Sequence, residues 1–472
     1  MIAAIALDLG STSIKAASVD VHGELQSLIT KPAPDMHRHD GRYECDALDY
    51  AETAEQVLDA CMAHSTEKPP LGLCSQRSSF LIWNQATGMP LTPLISWQDD
   101  RGKSSCERLR ASTDTIRTLT GLQLTPYYFA PKLSALLREN PDWREKLIKR
   151  DWMAGTLDTF LIWRWTGKRH FITDTSMAAR TLLMNIHTQQ WSDELCTLFD
   201  IPRGILPHIV SSTDLNLRLN NGLTLQASVG DQSAALIASL GKNRDEALVN
   251  LGTGGFVIRS LAENEAAFNG YLHTLAYRAG KQPAQFAIEG TLNSIAPALA
   301  GYPVSDCRFE NLANHRIFCL AEPSGLGAPY FRSDWGMHFS QPVTGLTRQH
   351  IAALLLEAII FRIARILEEF HHHVPLTRVY LSGGLSGLAC LQQGIAQCTD
   401  LPVYYLTQKE TSLQGAAMLA SDFRINPQRQ AQQIQIPQPN TALVDKYRDW
   451  KIWLDGLLAA KENQTESGTA HN

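Results

Sequence analysis

The sequence predicts an α/β protein of two related domains around a cleft. Three observations carry this. At 472 residues the chain exceeds one ordinary domain, and roughly 100–200 residues per domain allows two to four. A pattern of apolar strand, glycine-and-hydroxyl turn and second strand occurs around Gly10 and again around Gly252, about half the chain apart. No Pro-rich or Gly/Ser-rich linker separates the halves, so packed secondary structure must join them, with a hinge near residue 235. The domains are placed at residues 1–235 and 236–472.

The elements follow in order. Residues 2–7 are continuously apolar, as in a buried strand, and residues 8–13 turn. Residues 14–19 return as a second strand, closed by the hairpin signal His22-Gly23. A helix at 50–63 and strands at 71–74 and 79–83 come next, then a turn at 84–88. Helical patterns dominate to about residue 200, including 132–137 and 151–166. Ser228-Val229-Gly230-Asp231-Gln232 leads into an Ala-rich helix at 233–239. A strand at 247–250, a turn at 251–255 and a strand at 256–260 repeat the opening motif. A strand at 377–381 meets Ser382-Gly383-Gly384-Leu385-Ser386-Gly387, with a helix from Leu388. A last helix covers 443–461, and the polar tail 462–472 should fray.

Composition excludes several classes. Hydrophobic residues are 44% and charged residues 19%, which is globular rather than disordered. The net charge of −5 carries no overall footprint for nucleic acid. Nine scattered cysteines show no CxxC spacing, so neither a zinc knuckle nor a disulfide framework is indicated. The opening MIAAIALD lacks a basic n-region and reads as a strand, not a signal peptide. Residues 351–367 are apolar but interrupted by Glu357, Arg362 and Arg365, which marks a core helix and not a membrane span. The expected location is cytoplasmic, with no nucleic acid and no membrane partner.

Three Gly-and-hydroxyl turns, at 8–13, 252–255 and 382–387, could bring backbone N–H groups close to phosphate oxygens. None matches a Walker loop or GxGxxG. Asp8 beside such a turn makes sense chiefly with a divalent cation between them. Lys15 is balanced between added positive charge and an ordinary solvated strand residue. Asp231, alone, reads as a helix cap. Ser75-Gln76-Arg77-Ser78 with Trp97-Gln98-Asp99-Asp100-Arg101 suits a small polyhydroxylated ligand, although a surface salt-bridge loop is the plainer reading of that cluster by itself. His371-His372-His373 follows Glu368-Glu369-Phe370 and reads as cations at a helix C-terminus rather than a metal site.

The order of the pieces resembles a known family. The acid–Gly–hydroxyl turn is followed by GLCSQRSSFLIWNQATGMPL, LISWQDDR, TGLQLTPYYFAPKL, GTLDTFLIW, SVGDQSAAL, NLGTGG, SGLGAPYF and LSGGLSG. Residues 4–421 are similar throughout to the FGGY carbohydrate kinases, and within them to the glycerol kinase branch. The resemblance implies two actin-like ATPase (ribonuclease H-like) domains flanking a deep catalytic cleft where ATP meets a sugar or polyol. It implies Mg²⁺ held by Asp8 and Asp231, with Asp231 as the catalytic base. Gly10, Ser11, Thr12 and Lys15 resemble the first phosphate loop. Gly252, Thr253 and Gly254 resemble the second, and Gly383 and Gly384 the adenosine turn. Gln76, Arg77, Ser78, Trp97, Tyr127, Asp231, Gln232 and Phe256 resemble substrate contacts. Family members are often dimers or tetramers, so a homodimer is the analogy for this chain.

Departures qualify the substrate and the nucleotide. Glycerol kinases carry Glu where this chain has Ser78, so the resemblance implies more room and one strong hydroxyl acceptor fewer. A substrate larger than glycerol is expected. Xylulokinase-like members resemble Gln-Met-His, Trp-Asn-Asp and Asp-Asn patterns, whereas this chain has Gln-Arg-Ser, Trp-Gln-Asp and Asp-Gln. A pentulose kinase and a catalytically silent sugar-binding regulator are the alternatives. The segment between Glu289 and Ser324 is short, and Leu388 stands about where the family often has Asn, which should weaken adenine contacts.

Overall fold

Residues Ile2–Leu9 form a strand buried along most of its length, as a continuous apolar run demands. The computed structural model describes residues 1–63, 68–241, 243–262, 265–421, 423, 431–436 and 438–469, with side chains to residue 460. Ile2–Leu9 pairs antiparallel with Ser13–Asp20, which pairs antiparallel with Leu25–Pro32. On its other side lie Leu71–Ser75 and then Thr224–Gly230, both parallel. Leu217–Arg218 closes this six-stranded sheet.

The second half repeats the plan. Glu246–Leu251 pairs antiparallel with Gly255–Ser260, and that strand with Gln285–Leu292. On the other side Arg378–Ser382 and Val403–Leu406 run parallel. Leu272–Tyr277 and Ala431–Gln433 complete seven strands. Thus three antiparallel strands beside two parallel ones occur twice, as the repeated turn motif predicts. A five-stranded sheet inserted in the first half joins His37–His39, Arg42–Cys45, Leu94–Ile95, Phe80–Asn84 and Trp152–Thr156.

Two helices knit the halves together. Asp231–Leu240 follows the Thr224–Gly230 strand directly. Thr411–Ser421 comes late in the chain yet packs on that helix and on the first sheet. The approach is very close: a Cβ on Gly415 would lie 1.9 Å from the Ala234 carbonyl oxygen, and one on Gly72 would lie 2.1 Å from that of Ala416. Only glycine fits at these positions. Ala4, Val229, Ala234, Leu248, Tyr380 and Leu413 share one core cluster, so the interior is continuous from one sheet to the other.

Three expectations need correction. Residue 235, expected at a hinge, falls inside the Asp231–Leu240 helix; the break in this connection comes instead at Gly241, with φ 59°. Residues 151–166 are not one helix. Trp152–Thr156 is a strand against Phe80–Asn84, and the helix is Leu157–Trp165. A continuous apolar run does not by itself separate buried strand from buried helix. The final helix, Thr441–Thr469, takes in most of the tail expected to fray, and residues 470–472 lie outside the described residues. Among the described residues no helix is long and apolar enough to cross a membrane.

Candidate active site

Strand register assembles the site. Leu9 aligns with Ser75, and Ser75 with Gly230, across three parallel strands. Their carboxyl ends therefore deliver Asp8 and Gly10, Gln76 and Arg77, and Asp231 and Gln232 side by side. Open α/β sheets bind ligands outside the carboxyl ends of their strands.

Asp231 opens its helix, with its Oδ1 accepting from the Gln232 N–H at 2.7 Å. Arg77 Nε lies 3.6 Å from the same oxygen. The Arg77 guanidinium also donates to Gln232 Oε1. Gly230 makes room, because a Cβ there would lie 2.8 Å from Arg77 Cδ. The Asp231 side chain is 33% exposed. Its protein surroundings still raise the carboxyl above its ordinary range, against the opposing charge of Arg77. Burial, and then the charge of Arg180, pull Arg77 down to about 10, so it stays a cation at neutral pH.

Asp8 is held from the far end of the chain. Its Oδ2 accepts from Ser412 Oγ at 2.6 Å, on the helix that crosses over from the second half. Its Oδ1 is buried and has no hydrogen-bond partner among the described residues. Burial is the main cause that raises this carboxyl to about 6, with Asp231 adding like charge. An unpartnered carboxylate oxygen near a second carboxylate is a donor set that suits a hard divalent cation. Lys15, opposite Asp8 in register, is tied to Glu410 at 2.7 Å. Ser11 and Thr12 lie in the turn, where the Thr12 carbonyl accepts from Ala33 N–H. Gly10 is needed for close approach, since a Cβ would lie 2.6 Å from the Ser13 carbonyl oxygen.

Two expected substrate contacts are occupied within the protein. Gln76 is 4% exposed. Its amide donates to Tyr50 Oη at 3.3 Å and to the Gly10 carbonyl at 3.4 Å, and accepts from Ser79 Oγ at 2.9 Å. It ties the Gly10 turn to the Arg77 loop. Ser78, buried and at φ 65°, donates to the Arg180 carbonyl at 2.8 Å. Trp97 joins the same loop through its N–H to Ser79 Oγ at 2.9 Å. Tyr127 is exposed, beside Lys103 and Asp100. Phe256 is half-buried at the continuous core.

The second sheet presents its turns in the same way. Asn250 aligns with Ser382, so Gly252-Thr253-Gly254 and Gly383-Gly384 lie at neighbouring carboxyl ends. Gly383 has φ 89°, and a Cβ there would lie 2.5 Å from the Leu251 carbonyl oxygen. The Thr253 carbonyl accepts from Ala296 N–H. Leu388 packs against the apolar core and offers no polar group.

Sequence reading missed several residues. Lys132 is fully buried and donates to the carbonyls of Ser78 at 3.0 Å and Ser96 at 2.7 Å, clamping the Arg77 and Trp97 loops together. Burial pulls its amine down to about 7. Arg180, Tyr128, Thr274 and Glu289 form a buried group beside Arg77. They come from four distant segments, and no spacing rule joins them. The three histidines close the helix Arg348–His373: His371 Nδ1 accepts from Leu376 N–H at 2.9 Å, and His373 stacks on Phe268 at 3.7 Å. A cavity of about 680 Å³ between Arg117, His187, Phe268 and Phe286 contains none of the predicted site residues.

Comparison with known proteins fits this geometry. Residues 3–243 match the FGGY family of carbohydrate kinases, N-terminal domain, and residues 247–421 the C-terminal domain of the same family. The chain belongs to the FGGY family of carbohydrate kinases. It is 30% identical to a glycerol kinase of Roseiflexus sp. over 88% of this chain and 89% of that one. It is also 30% identical to an apulose kinase of Pectobacterium atrosepticum, over 95% and 96% of the two chains. Its fold matches the crystal structure of Plasmodium falciparum glycerol kinase with ADP, with a TM-score of 0.84, 22% identity and coverage of 96% and 98%. As an FGGY kinase it is a phosphotransferase that uses ATP on a sugar or polyol. The division between the family domains, at 243 and 247, falls after the connecting helix.

Proposed function

We propose that this FGGY kinase transfers the γ-phosphoryl group of ATP to a primary hydroxyl of a ketose or polyol larger than glycerol, with Asp231 as general base. The parallel register that sets Asp8, Arg77 and Asp231 together carries the reading. The acceptor oxygen forms a bond to phosphorus as the bond to ADP breaks, and the acceptor proton passes to the Asp231 carboxylate. Arg77 orients hydroxyl oxygens, and its charge favours the carboxylate form of Asp231 against the effect of burial. The glycine turns at Gly10, Gly252 and Gly254 leave backbone N–H groups free to approach phosphates. Gly383 and Gly384 fit the adenosine side. Asp8, through its unpartnered Oδ1, and Asp231 would hold Mg²⁺, which when bound neutralises phosphate charge.

Size preference rests on Ser78. Its short side chain is turned to the Arg180 carbonyl, so it contributes no carboxylate acceptor to the pocket. A relative named apulose kinase, similar over nearly the whole chain, supports a branched or longer ketose. The test is acceptor-dependent ADP release against glycerol, tetroses, branched and linear ketopentoses, and ketohexoses. The expected result is a ketose or longer polyol preferred over glycerol. A flat panel with intact ATP binding would instead make the chain a sugar-binding regulator. Ser78→Glu should raise kcat/KM for glycerol relative to the best acceptor by roughly tenfold or more, because a hydrogen bond to a charged acceptor contributes about 1.5–3 kcal/mol. No relative gain for glycerol would remove Ser78 as the size determinant.

A further inference from the structure

Arg180 touches both halves of the molecule. On the first half, its guanidinium lies 5.6 Å over the Tyr128 ring, and its carbonyl accepts the Ser78 hydroxyl, next to Arg77. On the second half, Nη1 donates to Thr274 Oγ1 at 3.3 Å, and Nη2 stands 3.6 Å from Glu289 Oε1. Thr274 Oγ1 in turn donates to Glu289 Oε2 at 3.4 Å. Both charged side chains are buried, at 8% and 3% exposure.

Glu289 lies on the Gln285–Leu292 strand. Three residues on, Leu292 pairs with Gly255, and its carbonyl oxygen lies 3.0 Å from where a Gly254 Cβ would sit. The strand therefore runs from the Arg180 contact into the Thr253 turn. The ion pair itself is incomplete. At 3.6 Å it exceeds hydrogen-bond length, and Glu289 Oε1 is buried with no hydrogen-bond partner among the described residues. A buried charge pair of this kind contributes little net stability, because desolvation offsets the attraction. A pair left just short of bonding, between an acceptor loop and a phosphate turn, suits a contact that tightens during turnover.

We infer that Arg180 and Glu289 are positioning residues that couple acceptor binding beside Arg77 to the phosphate turn at Thr253. This rests on the kinase reading above, and neither residue needs to touch the acceptor. Binding at Arg77 moves the Ser78 loop, Arg180 follows through its carbonyl, and Glu289 draws its strand and the turn into place. Without the pair, acceptor still binds but the turn closes without reference to it.

The test uses the full chain with its best acceptor from the panel. Glu289→Gln is nearly isosteric and removes the charge. The expected result is a fall in kcat of tenfold or more with acceptor KM changed less than threefold. ADP release without acceptor should become a larger fraction of the total. Arg180→Gln added to Glu289→Gln should cost less than twofold further, since the two act as one unit. Thr274→Val, which keeps shape and deletes the bridging hydroxyl, gives the same split at threefold or more and serves if Glu289→Gln folds poorly. Unchanged kcat in both Glu289→Gln and Thr274→Val, or a rise in KM alone, overturns the coupling while leaving the kinase reading intact. Absence of acceptor-dependent ADP release in the unsubstituted chain overturns both.

Discussion

Asp231→Asn should lower kcat by roughly 10²- to 10⁴-fold, the range that positioned general acid–base catalysis supplies. The substitution is conservative in shape. An Asn oxygen can still accept from the Gln232 N–H, and Arg77 keeps its bond to Gln232 Oε1, so the pocket should hold its form. What disappears is the ability to take the acceptor proton, and half of the carboxylate pair that would hold Mg²⁺. ATP affinity should change far less than kcat, because the glycine turns proposed to hold the phosphates belong mainly to other strands. The measurement is steady-state turnover at saturating ATP and acceptor, with the melting temperature as control. Turnover within threefold of the unsubstituted enzyme would place the base elsewhere.

The effect depends on the setting of Asp231, which local sequence did not show. Read alone, an acid before an Ala-rich helix is a cap. In the structure Gly230 precedes the helix as its cap, and Asp231 is the first helical residue, facing Arg77. The parallel alignment of Ser75 with Gly230 brings them together across about 150 residues of chain, and no local pattern reports such a register.

Much of the scaffold was legible for the opposite reason. The strand–turn–strand units around Gly10 and Gly252 are local, and both form as antiparallel hairpins. Their glycines are dictated by nearby backbone, as at Gly10. By contrast, Gly72 and Gly415 are dictated by a helix arriving from the other end of the sequence. Trp152–Thr156 was unreadable because it is apolar on both sides and runs straight into a helix. Motif matching pointed to Arg77 and Asp231, which the fold brings side by side. It also suggested Gln76, whose amide the fold uses to join Gly10, Tyr50 and Ser79. Arg180 and Glu289 carry no motif of their own, and only packing brings them together.

Arg362→Met should destabilise the protein by about 3–5 kcal/mol, the cost of leaving one partner of a buried ion pair unmatched. Arg362 sits within the helix Arg348–His373 at 1% exposure. Its Nε donates to Glu322 Oε1 at 2.7 Å, its Nη2 to the Ala328 carbonyl at 2.5 Å, and its guanidinium lies 5.0 Å over the Tyr330 ring. Glu322 Oε2 accepts in turn from the N–H groups of Asn293 and Gly327, both at 2.8 Å. One carboxylate thus organises the loop from Glu322 to Tyr330, and one arginine neutralises it. Replacing both by apolar side chains often restores stability at a simple buried pair. Here Arg362→Met with Glu322→Met should restore little, because two backbone N–H groups then lose their acceptor at about 1–3 kcal/mol each. Thermal unfolding of the two variants separates the cases: a double variant as stable as the parent would mean that the pair merely fills space. The loop also reaches the proposed site, since Ala328 N–H donates to Thr291 Oγ1 and Thr291 pairs with Phe256, just past the Thr253 turn. If the Thr253 turn holds phosphate as proposed, Arg362→Met should therefore lose turnover at temperatures below its unfolding transition, as that turn loses the wall behind it.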